Sequence, residues 1–171
     1  MNKIFLSLII IFFFLTKSYS ENFKFTKIVK LKNPWSASFI NNNEIIITEK
    51  EGKIKIINLS SKEILNINHN LNYLVHGQGG LLDIIYKNEN LWISYTEDRG
   101  DWKTSTSIAK AKINKNKLNF KNIFQANPPI DSGYHFGSRL AIKGDYIFAS
   151  AGERGQGMIA QDPTKHPGSI I

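Results

Sequence analysis

His135 stands in the stretch Asp131-Ser132-Gly133-Tyr134-His135-Phe136-Gly137-Ser138-Arg139-Leu140, a glycine-flanked turn that runs straight into an apolar strand. Glycines on both sides let the backbone bend where a Cβ would clash, and they keep the imidazole on a loop rather than in a core. Imidazole titrates near neutrality, so a histidine placed this way is suited to general-base chemistry, taking a proton from a hydroxyl as that group reacts. Gln78, in Gly77-Gln78-Gly79-Gly80-Leu81-Leu82-Asp83, offers a donor and an acceptor to a polar ligand. Taken alone, it reads first as a turn residue satisfying nearby backbone groups. Arg139, at a strand start, suits an anionic ligand or a structural ion pair equally well. His69, His76 and His166 show no paired metal spacing, and His76, although close to Gln78, is given no catalytic role. Glu97, Asp98 and Asp101 lack the spacing of a calcium loop and are interleaved with Arg99 and Trp102, so a solvated turn is expected there.

These side chains need a frame, and the chain supplies short β segments separated by Asn, Gly and Lys turns, with no sustained helical period. Trp35, Ala37 and Phe39 alternate with Ser36 and Ser38, which predicts a half-buried strand with the apolar set inward. Strands are expected at Glu44 to Thr48, Lys53 to Asn58 and Glu63 to Ile67, completing a group of four. The plan recurs at Leu81 to Tyr86, Leu91 to Tyr95, Thr106 to Ile113 and Asn119 to Phe124, and begins again at Arg139 to Ile142 and Tyr146 to Ser150. The second strand of each group closes on a charged turn ending in Gly52, Gly100 or Gly155, spaced 48 and 55 residues apart. Such a period fits the blades of a β-propeller, about 40 to 50 residues each with loop insertions. Gln78 and His135 each precede a first strand by about three residues, which predicts that they converge at one end of the central channel from adjacent blades.

Three separated motifs, Gly77 to Asp83, Tyr134 to Leu140 and Gly152-Glu153-Arg154-Gly155-Gln156, occur in an order that resembles the pyrroloquinoline-quinone-dependent soluble aldose or glucose dehydrogenases, a family of six-bladed β-propellers. The resemblance runs from about Trp35 to Ile171. It implies an all-β fold of which about the first two to three blades are present, oxidation of an aldose at its anomeric carbon to the lactone, and passage of electrons to an external acceptor. It makes His135 the catalytic base and Gln78 a sugar contact, with Arg139 a candidate for the quinone. Some members carry a carboxylate just before the histidine, where this chain has Tyr134, a residue that can stack on or hydrogen-bond a sugar ring. The family's remaining quinone-binding residues and its calcium ligands come from later blades, so both cofactors are implied with most of their ligands outside this chain. A non-catalytic propeller that binds carbohydrate or protein is the competing reading, since the framework alone dictates no function. A metal-dependent lactonase would need a carboxylate cluster that the sequence lacks.

The chain begins with Lys3, an apolar run from Ile4 to Leu15 and small residues at Ser18 and Ser20, which predicts a signal peptide over residues 1–20 and an exported, periplasmic or secreted protein. Lys17 breaks the apolar run too early for a stable membrane anchor. Removing Lys3 and Lys17 lowers the formal charge from +8 to +6 over the remaining 151 residues, and the lysines are scattered rather than gathered on one face, so no nucleic-acid partner is expected. The chain has no cysteine, which leaves sheet packing to stabilise it. About 151 residues make roughly three blades, too few to close a six-bladed ring, so this stretch alone is expected to be inactive.

Overall fold

The computed structural model describes residues 23–171, and the expected leader at residues 1–20 lies outside them. Strands β1 (Pro34–Phe39), β2 (Glu44–Glu49), β3 (Lys53–Asn58) and β4 (Ile64–His69) form one antiparallel sheet in chain order. Its outer edge is extended by the two-residue β8 (Lys117–Leu118), which joins β4 in parallel. A second sheet takes β5 (Leu81–Lys87), β6 (Asn90–Asp98), β7 (Thr104–Lys112) and β9 (Lys121–Gln125), and a third takes β10 (Gly137–Lys143), β11 (Tyr146–Ala151) and β12 (Ser169–Ile170). β1 lies beside β5 and β5 beside β10, so the first strand of every sheet belongs to one inner rank. The sheets are successive blades of a β-propeller, as the repeat predicts. None of the helices among the described residues is long and apolar enough to cross a membrane.

Isoleucine and leucine at alternate positions weld the blades face to face. Ile46, Ile54, Ile56 and Ile67 of the first sheet meet Leu81, Ile84, Leu91 and Ile93 of the second, all buried. Each such side chain stabilises the fold by about 1.5 to 3 kcal/mol relative to exposure. A second cluster, Ile108, Leu140 and Ala149, joins the second blade to the third.

The inner strands are stitched by hydroxyls. Register shifts fall between Pro34 and Ser36 in β1, Leu81 and Ile84 in β5, and Gly137 and Leu140 in β10. A bulge takes an N–H out of the ladder, and each finds a hydroxyl on the second strand of its own blade. Ser36 N–H donates to Thr48 Oγ1 (3.2 Å), Asp83 N–H to Ser94 Oγ (3.0 Å) and Arg139 N–H to Ser150 Oγ (3.0 Å). Thr48 and Ser94 then donate onward to the next blade, to Leu82 O and Ser138 O, both at 2.6 Å.

This stitching overturns the expected facing of β1. The alternation is present but inverted: Ser36 and Ser38 are the partly buried set, while Trp35 is 41% and Phe39 63% exposed. Backbone groups of β5 are the reason. Ser36 Oγ accepts from Ile84 N–H (3.3 Å) and donates to Asp83 Oδ1 (2.5 Å), and Ser38 Oγ accepts from Tyr86 N–H (3.0 Å). Apolar side chains on that face would leave these donors unpaired.

Candidate active site

β5 and β10 begin, and β2, β6 and β11 end, at the same end of the blades, so the loops carrying Gln78, His135 and Glu153 gather there. Gln78 and His135 do meet. The Gln78 side-chain oxygen accepts the His135 backbone N–H at 2.9 Å, and the Gln78 N–H donates to Gly133 O at 2.8 Å. The phase of the repeat is one residue off, however. Gln78 lies three residues before β5, and the residue three before β10 is Tyr134. The Gln78 side chain therefore reaches the His135 backbone because their loops touch, and equivalence of position does not explain it. Half of the Gln78 amide is spent bracing the histidine's backbone, which has a left-handed φ of 50°. The NH₂ group remains for a ligand.

Glu153 faces the imidazole: its Oε1 bonds His135 Nδ1 and also accepts Gly155 N–H at 3.1 Å. The bond from His135 holds the Glu153 carboxyl below the ordinary carboxylate range, so the group is an anion at neutral pH. An anion accepts only, so Nδ1 carries the hydrogen, and in the neutral ring the lone pair is on Nε2. The His135 side chain is 55% exposed, leaving that nitrogen open to a ligand. Close approach of the two loops requires Gly152, where any Cβ would overlap His135 O.

Arg154 clamps the histidine loop from beneath. It is 3% exposed, stacks at 3.7 Å over the Phe136 ring, and donates to Tyr134 O (3.0 Å), Thr104 O (3.1 Å), Thr104 Oγ1 (2.7 Å) and Ser132 O. All four acceptors are neutral oxygens, and burial pulls its pKa down to about 10. Tyr134 is 62% exposed, its ring 6.2 Å from that of His135 and edge-on to it. Arg139 pairs with Asp83 Oδ1 at 3.0 Å through one nitrogen, its side chain otherwise 74% exposed.

Glu97 departs from the solvated turn expected of it. It is buried and holds Ser107 Oγ (2.6 Å), Asn122 Nδ2 (2.9 Å) and Gln125 Nε2 (2.7 Å), tying β6 to β7 and β9. Glu153, Arg154 and Asp83 are the functional or framing residues that sequence reasoning passed over. The first two lie in Gly152-Glu153-Arg154-Gly155, a motif already noted as a blade-closing turn and in the family resemblance, but with no role given to either side chain.

The chain thus carries successive blades of a β-propeller with a histidine–carboxylate pair on their open end. The chain belongs to the glucose/sorbosone dehydrogenase family, whose model matches residues 31–171. It is 29% identical over 152 residues to the aldose sugar dehydrogenase YliI of Escherichia coli strain K12, an alignment covering 83% of this chain and 41% of that protein. The crystal structure of the soluble aldose sugar dehydrogenase from Escherichia coli in its apo-form superposes with a TM-score of 0.77 at 30% identity, over 82% of this chain and 44% of that one. The quinone-bound aldose sugar dehydrogenase of Streptomyces coelicolor shares the fold at a TM-score of 0.73 and 19% identity, over 83% of this chain and 44% of that one. The chain thus spans less than half the length of these relatives.

Proposed function

We propose that this chain carries the proton-accepting side of an aldose dehydrogenase that oxidises the anomeric carbon of a sugar to the lactone with pyrroloquinoline quinone. The observation that carries the reading is the pairing of His135 with Glu153 on an exposed loop braced by Gln78. Nε2 of His135 takes the proton of the anomeric hydroxyl as the C1–H bond breaks, and Glu153 stabilises the imidazolium that results. The Gln78 amide NH₂ and the Tyr134 ring orient the sugar, by hydrogen bonding and by stacking. The quinone, when bound, supplies the hydride acceptor and later passes its electrons to an external acceptor. A ligand bearing carboxylates needs cations, and Arg139 fits this need in part, since Asp83 occupies one nitrogen and the guanidinium is otherwise open. Among the described residues no three His, Asp or Glu side chains converge on a metal position, and calcium is assigned no ligand there.

The test is His135→Ala in a completed six-bladed version of the protein, supplied with quinone and calcium and assayed by glucose-dependent dye reduction. A positioned general base contributes about 10²- to 10⁴-fold, so turnover should fall by that factor while quinone binding is retained. Turnover equal to that of the parent would remove His135 from the chemistry. Sugar binding without any turnover in the parent would favour the carbohydrate-binding propeller instead.

A further inference from the structure

Trp102 sits at the tip of the β6–β7 hairpin, 66% exposed, with a left-handed φ of 62° that follows Asp101 at 50° and Gly100 at 78°. Single exposed aromatics need no explanation, but a bulky residue in this backbone region is a true outlier. The tip is nonetheless built: Lys103 N–H donates to Gly100 O and Arg99 N–H to Lys103 O, both at 2.9 Å, and Gly100 N–H donates to Asp98 Oδ1 at 2.9 Å. The indole is thereby presented outward from an ordered turn.

Its neighbour is His76, whose ring centroid lies 6.0 Å away and edge-on. The other side of His76 lies against Gly133, so closely that a Cβ there would stand 3.2 Å from His76 Cδ2. Gly133 in turn accepts the Gln78 N–H, and Tyr134 and His135 follow it directly. Trp102, His76, Gly133, Gln78 and His135 are therefore linked by one chain of contacts, in which Gly133 is buried, His76 half-buried and the other three exposed. His76 Nδ1 is buried with no hydrogen-bond partner among the described residues. A bare lone pair costs less there than a bare N–H, which puts the ring hydrogen on Nε2 as a donor available to a ligand hydroxyl.

We propose that Trp102 and His76 form a second sugar subsite beside the oxidised ring, Trp102 stacking on the apolar face of the next glycosyl unit and His76 Nε2–H bonding one of its hydroxyls. The inference rests on the proposed sugar-oxidising function and adds the residues that favour a disaccharide or longer aldose over a single ring. Chemistry supports the match: a pyranose shows flat C–H faces between polar rims, and an indole beside a hydrogen-bond donor complements both.

Two measurements on a completed six-bladed version of the protein test it. Intrinsic tryptophan fluorescence is titrated with maltose and with glucose, with no turnover required. Maltose should change the emission of the parent, and the change should vanish in Trp102→Phe if the indole is its source. With quinone supplied, Trp102→Ala should lower the ratio of kcat/KM for maltose over glucose about three- to tenfold, the size of one aromatic contact. An unchanged ratio, or a maltose response that survives in Trp102→Phe, overturns the subsite while leaving sugar oxidation intact. If glucose is not oxidised by any variant, the functional reading fails, and the fluorescence titration still decides whether Trp102 meets a sugar.

Discussion

Which nitrogen of His135 can act as a base is decided by one oxygen of Glu153. With Nδ1–H committed to the carboxylate, Nε2 is the open lone pair, and the imidazolium formed by proton uptake is stabilised by a charge-assisted bond. Glu153→Gln preserves the shape and can still accept from Nδ1–H, but it removes the charge. The charged bond is worth about 1.5 to 3 kcal/mol and the neutral one that remains about 0.5 to 1.5, so the loss of about 1 to 1.5 kcal/mol should lower kcat roughly 5- to 13-fold. Turnover of parent and variant measured side by side checks this, and an unchanged rate would make Glu153 a mere loop contact.

Each inner strand carries a bulge, and at the central bulge Asp83 joins three blades. Its buried carboxylate accepts Ser36 Oγ from the first blade, Ile84 N–H from its own, and Leu140 N–H (2.8 Å) and Arg139 from the third. Asp83→Ala would strand these donors and should cost about 3 kcal/mol. Arg139→Ala, which removes only a largely exposed partner, should cost about 1 kcal/mol or less. Urea unfolding midpoints for the two variants test this ranking, and equal losses would show that the ion pair, not the buried carboxylate, does the joining. This network also marks where sequence reading stops. Strands such as Lys53–Asn58 were legible because isoleucines alternate with lysines at a period of two, and the loops of Gln78 and His135 were legible from their glycines. The facing of β1 was not, since it depends on backbone donors of β5 some 48 residues away. Glu97 was misread for the same reason: its partners Asn122 and Gln125 lie 25 and 28 residues along the chain. Alternation reports that a strand has two faces; only the neighbouring strand determines which one is wet.

On the scale of the molecule, three blades packed in series leave two outward sheet faces, and both are aromatic. The first blade shows Trp35 and Phe39, and the third shows Tyr146, 73% exposed, and Phe148, 43% exposed, their rings 6.4 Å apart. These side chains point away from the inter-blade cores, on strands whose opposite faces carry Ser36 and Ser38 or Ala149 and Ala151. Adjacent aromatics on an exposed sheet face attract a second apolar surface, and residues 169–171 pair only Ala149, Ser150 and Ala151 of β11, leaving Tyr146, Ile147 and Phe148 as an edge ready to pair. Residues 23–171 expressed alone should therefore bind a hydrophobic dye and self-associate with rising concentration. Phe39→Lys together with Phe148→Lys should reduce both effects, because charges on a sheet face oppose stacking. The cooperative thermal transition should survive, since neither side chain belongs to the cores around Ile46 and Leu140. Light scattering and dye fluorescence across a concentration series are the measurements. A parent that stays monomeric and dye-silent would mean that these faces are covered in solution. If the double variant melted much earlier, the two phenylalanines would belong to the core after all.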